Sequence, residues 1–248
     1  MKLVDIKNVC KKYQTKNSEI EALNNINFSI NEGDIIAIVG PSGCGKSTIL
    51  SILSNLENYD KGEIITYKKD LKYGYMFQHD TLFDWISVMD NCMLGPKINK
   101  NFSKKDKDEC LELLDRYGLS KFKDNYPSSL SGGMRQRVAL IRTLMTKPDI
   151  LLLDEPFSAL DYQNRLLISN DVYKIIKEKN ITTLMVTHDV SEACAFADII
   201  IVLTDRPTHV KSVHKIIYDK KEDPINNRLK PIYNIYCNKI LGELNVIY

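Results

Sequence analysis

Gly40-Pro41-Ser42-Gly43-Cys44-Gly45-Lys46-Ser47 is the stretch whose residue types and spacing point most directly to chemistry. It fits GxxxxGK[ST], a loop in which glycines let successive backbone N–H groups turn inward around a phosphate chain. A helix opening at Ser47 and Thr48 would present its positive N-terminal end to the same charge. Lys46 adds a point charge near the terminal phosphates, and Ser47 supplies a hydroxyl for Mg²⁺. A second site is the acid pair Asp154-Glu155, which closes the apolar run Ile150–Leu153. Acids there stand where a buried strand leaves its sheet, and ligands collect at that edge in open α/β folds. Asp154 is placed to hold Mg²⁺, while Glu155 can orient and deprotonate a water for in-line attack on a γ-phosphate.

Such a site requires a parallel sheet to position it, and the hydropathy pattern supplies one. Ile35–Val39 is a continuous apolar run ending at Gly40, as expected of a strand buried on both faces. Ile150–Leu153, Thr183–Val186 and Ile199–Leu203 read the same way, with helical patterns at Ser47–Leu56 and Leu166–Lys177 between them. The βαβ alternation predicts an α/β core. Leu3–Val9 and Ile26–Ile30 alternate apolar and polar residues, which predicts an antiparallel layer before it. From about Thr81 to Thr146 strand signals vanish, and Ser103 with Asp106 forms a capping box ahead of Cys110, Leu111, Leu113 and Leu114. This segment reads as a helical insertion. After Arg206-Pro207, Val210–Ile217 reads as an edge strand, and Ile232, Ile235, Tyr236 and Ile240 have amphipathic helical spacing. The expected organisation is a cassette over 1–205, with its insertion at about 81–146, and an accessory segment over 206–248.

Composition narrows the partners. The 248 residues carry 34 Lys and Arg against 32 Asp and Glu, a net charge of +2 that lacks the single-sign field nucleic-acid binding needs. Asp5 and Lys7 interrupt Met1–Cys10 before a signal-peptide core forms, and no apolar stretch approaches the ~20 residues that span a bilayer. Cys10, Cys44, Cys92, Cys110, Cys194 and Cys237 are scattered without a CxxC pair, as expected of buried or incidental thiols in a reducing compartment.

A phosphate loop alone leaves a GTPase, a small-molecule kinase, a recombinase or a transport motor open. A guanine-reading NKxD is missing. Leu130-Ser131-Gly132-Gly133-Met134-Arg135-Gln136-Arg137, just before the aspartate-bearing strand, resembles the signature of the ATP-binding cassette (ABC) family. Physically it is another anion site, made of Ser131, Gly132, Gly133 and the N-terminus of a helix expected from Met134 to about Met145. The resemblance implies the phosphate-loop NTPase fold of an ABC nucleotide-binding domain, with an antiparallel β subdomain and a helical insertion. It implies a head-to-tail dimer with a second copy of the chain, in which the signature of one subunit closes over ATP held by the other. It assigns further roles: Gln78 reaches the metal and attacking water, Asp161 in Ser158-Ala159-Leu160-Asp161 crosses the interface, and His188 contacts the γ-phosphate and supports Glu155. Tyr13 falls where the family keeps an aromatic on adenine, the alternative being a half-buried strand residue. Cys44 is either an activated thiolate or a tolerated small residue.

Within the family, Met134, Phe83-Asp84-Trp85, Asp154–Asp161 and Arg206-Pro207 look like the nitrate/sulfonate/taurine importer ATPases, although Asp84 replaces the proline usual before the tryptophan. That likeness implies an ATP- and Mg²⁺-dependent subunit on the cytoplasmic face of separate transmembrane permease subunits, served indirectly by a solute-binding protein. Phe83 and Trp85 either line a groove for the permease or pack in the core of the insertion. Rival readings are a nontransport cassette ATPase of DNA repair or ribosomes, a subunit for another solute such as a vitamin precursor, and a cytosolic kinase.

Overall fold

The computed structural model describes residues 1–15, 18–99 and 102–245. Alternation near the N-terminus yields two long strands, β1 (Lys2–Gln14) and β2 (Glu19–Asn31), which pair antiparallel. The apolar runs yield β3 (Ile35–Val39), β6 (Ile150–Asp154), β7 (Thr182–Val186) and β8 (Ile199–Leu203), with β4 (Lys61–Thr66) and β5 (Tyr73–Met76) between β3 and β6. β4 joins the first sheet, in the order β2-β1-β4. The larger sheet has the order β5-β6-β7-β3-β8-β9, parallel except for the edge strand β9 (Val210–Lys215).

Period-two geometry sends alternate residues of the large sheet into two cores. Ile36, Ile38, Leu152, Leu184, Val186 and Leu203 face helix α1 (Lys46–Leu53) and the inner side of the antiparallel sheet, Val4, Ile6, Leu23 and Ile26 among them. Ala37, Val39, Leu151, Leu153, Met185 and Val202 face the remaining helices. Both faces of β3, β6 and β7 are therefore covered, which is why these strands are apolar at almost every position.

The insertion holds α2 (Val88–Cys92), α3 (Leu94–Ile98), α4 (Lys104–Arg116) and α5 (Gly132–Leu144). The capping box forms as expected: Ser103 accepts from the Asp106 N–H and Asp106 from the Ser103 N–H. Three details correct the expectation. α5 begins at Gly132 rather than Met134, because the Ser131 hydroxyl caps it by accepting from Met134 N. α1 stops at Leu53, and Asn55 two residues later takes a left-handed backbone that no helix can continue through. In the last helix Ile235 points outward, 65% exposed, and the buried stripe is Tyr233, Cys237 and Ile240.

β7 leads into α7 (Val190–Phe196), and α6 (Tyr162–Glu178) covers the same face. The tail, with α8 (Pro224–Asn227) and α9 (Pro231–Glu243), closes over α7. Helix ends leave carbonyls without partners. Here the tail supplies donors at the end of α7, Tyr218 Oη to Cys194 O, Asn227 Nδ2 to Ala195 O and Lys221 Nζ to Ala197 O, and Tyr233 Oη donates to Ser191 O in its first turn.

Candidate nucleotide site

Parallel strands release their loops at one edge, and β3, β5, β6, β7 and β8 each release a polar residue there. Ser42, Gly43, Gly45, Lys46, Ser47, Thr48, Gln78, Glu155, His188 and Arg206 line one cavity of about 500 Å³. The phosphate loop owes its shape to Gly43 (φ +73°) and Gly45 (φ +109°), conformations that side chains with a Cβ rarely adopt. Lys46 is buried, and its ammonium donates to Gly40 O and Pro41 O, each at 2.9 Å.

Asp154 ends β6 and is buried, accepting from Ser47 Oγ at 3.0 Å and from Tyr75 Oη at 3.3 Å. Burial pushes its carboxyl up, and those two hydrogen bonds oppose the shift. The oxygens of Ser47, Asp154 and Gln78 are hard donors of the kind Mg²⁺ takes, so this set fits the metal. Glu155, one residue on, is held at φ +46°, a strained conformation for a residue with a side chain. Its N–H donates to Val186 O, which ties it to β7. The His188 Nδ1 lies 3.1 Å from Glu155 Oε1, and Gln78 Nε2 donates to Glu155 Oε2 at 3.3 Å. Three strand ends thus converge on one carboxylate, a geometry able to fix its direction toward a water.

Residues expected at the site fall into two groups. Lys46, Ser47, Thr48, Gln78, Glu155 and His188 meet in the cavity, with Asp154 bonded to Ser47 beneath them. Ser131, Gly132 and Asp161 are exposed and lie outside its lining, and Gly133 packs so closely on Leu160 that a Cβ there would come within 2.8 Å of it. Asp161 caps α6, accepting from Asn164 N. Tyr13 stands beside the loop, donating to Glu57 Oε2 and lying 3.3 Å from Thr48 Oγ1, with the Lys11 ammonium over its ring. Cys44 is 2% exposed and burial pushes its thiol up, so it is a small buried residue and not an activated thiolate. Trp85 is 75% exposed and stacks on Phe83, which removes the core reading of these aromatics. Buried Asn91 fixes their loop by bonding Phe83 N, Phe83 O and Ser87 O.

Two parts of the site were not foreseen. Arg206 lines the cavity from the end of β8, and only its place after an apolar run could have signalled it. Behind His188 lies buried Glu192, which accepts from Thr187 Oγ1 at 2.6 Å. Burial pushes its carboxyl up to about 7 from an ordinary 4.5, with Asp189 adding to the shift and Arg165 and Arg228 opposing it. Between those two values the folded chain keeps a proton that the unfolded chain releases, so stability falls as pH rises through that window. Glu192→Gln keeps an acceptor for Thr187 and is expected to raise Tm over wild type at about pH 8, with little gain at about pH 5. Thermal melts across this range check it, and a Tm difference independent of pH would refute the assignment.

Comparison with known proteins agrees with this arrangement. Residues 23–158 match the ABC transporter family. The uncharacterized ABC transporter ATP-binding protein YtlC of Bacillus subtilis is 39% identical, over 99% of this chain and 96% of that protein. The aliphatic sulfonates import ATP-binding protein SsuB of Bacillus cereus is 38% identical, over 89% of this chain and 88% of that protein. Among solved structures, the dimeric post-hydrolysis state of the ATP-binding cassette MJ0796, bound to ADP and Pi, superposes with a TM-score of 0.77 at 34% identity, covering 87% of this chain and all of that one. Similarity sustained along nearly the whole chain, over a fold that brings a phosphate loop to a held carboxylate, places this protein in the ABC transporter ATP-binding family, as an ATPase.

Proposed function

We propose that this chain is the ATP-hydrolysing subunit of an ABC importer, working as a head-to-tail homodimer on the cytoplasmic face of separate permease subunits. The observation that carries the hydrolytic reading is the convergence of Gln78 and His188 on Glu155 at the mouth of the phosphate loop. Inward amides of the loop and Lys46 offset the charge of the phosphate chain. Ser47, Asp154 and Gln78 would hold Mg²⁺, which neutralises phosphate charge when bound. Glu155 accepts a proton from the attacking water, with His188 and Gln78 fixing its orientation. ADP and inorganic phosphate are the products. Tyr13 flanks the adenine side, and Ser131, Gly132, Gly133 and Asp161 serve the partner copy's ATP, consistent with their place outside their own chain's cavity and with the exposure of Ser131, Gly132 and Asp161.

Among the described residues no helix is long and apolar enough to cross a membrane, and this reading gives the membrane path to separate permease subunits. The names of SsuB and of the sulfate/thiosulfate import protein CysA of Pseudomonas putida, 40% identical over 81% of this chain, support import over export or repair. A small solute of the nitrate, sulfonate or taurine kind, delivered by a solute-binding protein, is the cargo this reading favours. The exposed Phe83–Trp85 stack is the permease contact. In vesicles carrying the permease, Trp85→Ala is expected to abolish ATP-dependent sulfonate uptake while the isolated protein hydrolyses ATP normally. Uptake unchanged by the substitution would refute the contact. Transfer of phosphate to a metabolite in place of phosphate release would refute the motor.

A further inference from the structure

A loop that turns its amides inward necessarily turns carbonyls outward, and buried carbonyls require donors. In this phosphate loop Lys46 serves Gly40 O and Pro41 O. The other two come from outside the loop, in the segment joining β8 to β9. Arg206 Nε donates to Gly43 O, and Thr208 Oγ1 donates to Cys44 O. Thr208 is fully buried and pinned to β2 on both sides of its peptide, with its N–H on Ala22 O and its carbonyl accepting from Asn24 N. The Arg206 guanidinium also lines the nucleotide cavity, and Nη2 lies 3.3 Å from where a Cβ on Gly43 would stand.

We infer that Arg206 and Thr208 are positioning residues for nucleotide binding: together they hold the tip of the phosphate loop with its amides inward, and Arg206 adds a positive charge to the polyphosphate site. The inference rests on the nucleotide reading of the cavity and goes beyond it by assigning loop geometry to the β8–β9 segment. Cys44 O is buried, and without the Thr208 hydroxyl it would be left unpaired and destabilise the loop conformation, whereas at exposed Gly43 O Arg206 acts by holding the loop and by its charge. The conformation at stake here is the one that binds phosphate, so the effect falls on nucleotide affinity before it falls on turnover.

Steady-state ATPase kinetics and equilibrium binding of a fluorescent ATP analogue test this in the full chain. Thr208→Val, which keeps shape and removes the donor, is expected to raise KM and Kd about tenfold with kcat unchanged. Thr208→Ser should restore wild-type values. Arg206→Ala, at an exposed position, should raise Kd by a similar factor and flatten its dependence on salt, and Arg206→Lys should recover the salt dependence. KM and Kd unchanged in both Thr208→Val and Arg206→Ala would overturn the inference, as would a fall in Tm with affinity intact. Failure of the wild-type protein to bind the analogue would overturn the nucleotide reading itself.

Discussion

Glu155→Gln is expected to bind ATP as tightly as wild type and to lose turnover by roughly 10²–10⁴-fold, the range that removing a general base produces. Gln keeps the shape of the side chain and one of the two contacts that the structure shows. Its carbonyl oxygen can accept from His188 or from Gln78, and the strained backbone at φ +46° is untouched. What disappears is the basic oxygen. In the proposed head-to-tail dimer hydrolysis removes the phosphate shared by two subunits, so the arrested protein should run as an ATP-bound dimer in size exclusion. Normal turnover by this variant would move the base elsewhere. His188 would then be the first candidate, since it is the other titratable group on the cavity wall beside Glu155.

Ser131→Arg should lower hydrolysis at least roughly a hundredfold while leaving the affinity of the monomer for ATP intact, comparable to losing a donor aimed at developing charge. Ser131 lies outside the cavity of its own chain, and its hydroxyl caps α5. A long side chain there blocks approach of a second copy's nucleotide without touching the first. Lost capping is the competing explanation, because removing an N-cap costs about 1 kcal/mol. Ser131→Ala separates the two, since it forfeits the cap and leaves the surface open to a partner. Equal losses from Ala and Arg would assign the effect to the helix. A large fall in ATP affinity with Arg would refute a site completed in trans.

How much of this was readable beforehand depended on the range of the interaction. The strands β3, β6, β7 and β8 announce themselves because burial on both faces makes them apolar at almost every position. Lys46 and Ser47 follow from the phosphate-loop motif and Asp154 and Glu155 from the end of an apolar strand, whereas Gln78 and His188 followed only from the family resemblance. Arg206 did not follow, because its role depends on β8 lying beside β3, a pairing between residues distant in sequence. The left-handed backbone of Glu155, the hydrogen bond from Tyr75 to Asp154 and the burial of Glu192 are likewise tertiary. Periodicity misassigned Ile235 for a related reason. An apolar residue on the flank of a helix is covered only if a neighbour reaches it, and among the described residues none covers Ile235.

The closure of the tail over α7 bears on autonomy. Seven residues make a helix too short to persist unaided, so α7 takes its permanence from what surrounds it. Four of its surroundings' hydrogen bonds come from residues 218–233, at the far end of the chain. His188 sits two residues before that helix. Residues 218–233 therefore act as a remote splint for the catalytic centre, and removing them would loosen the site without removing one atom that lines the nucleotide cavity.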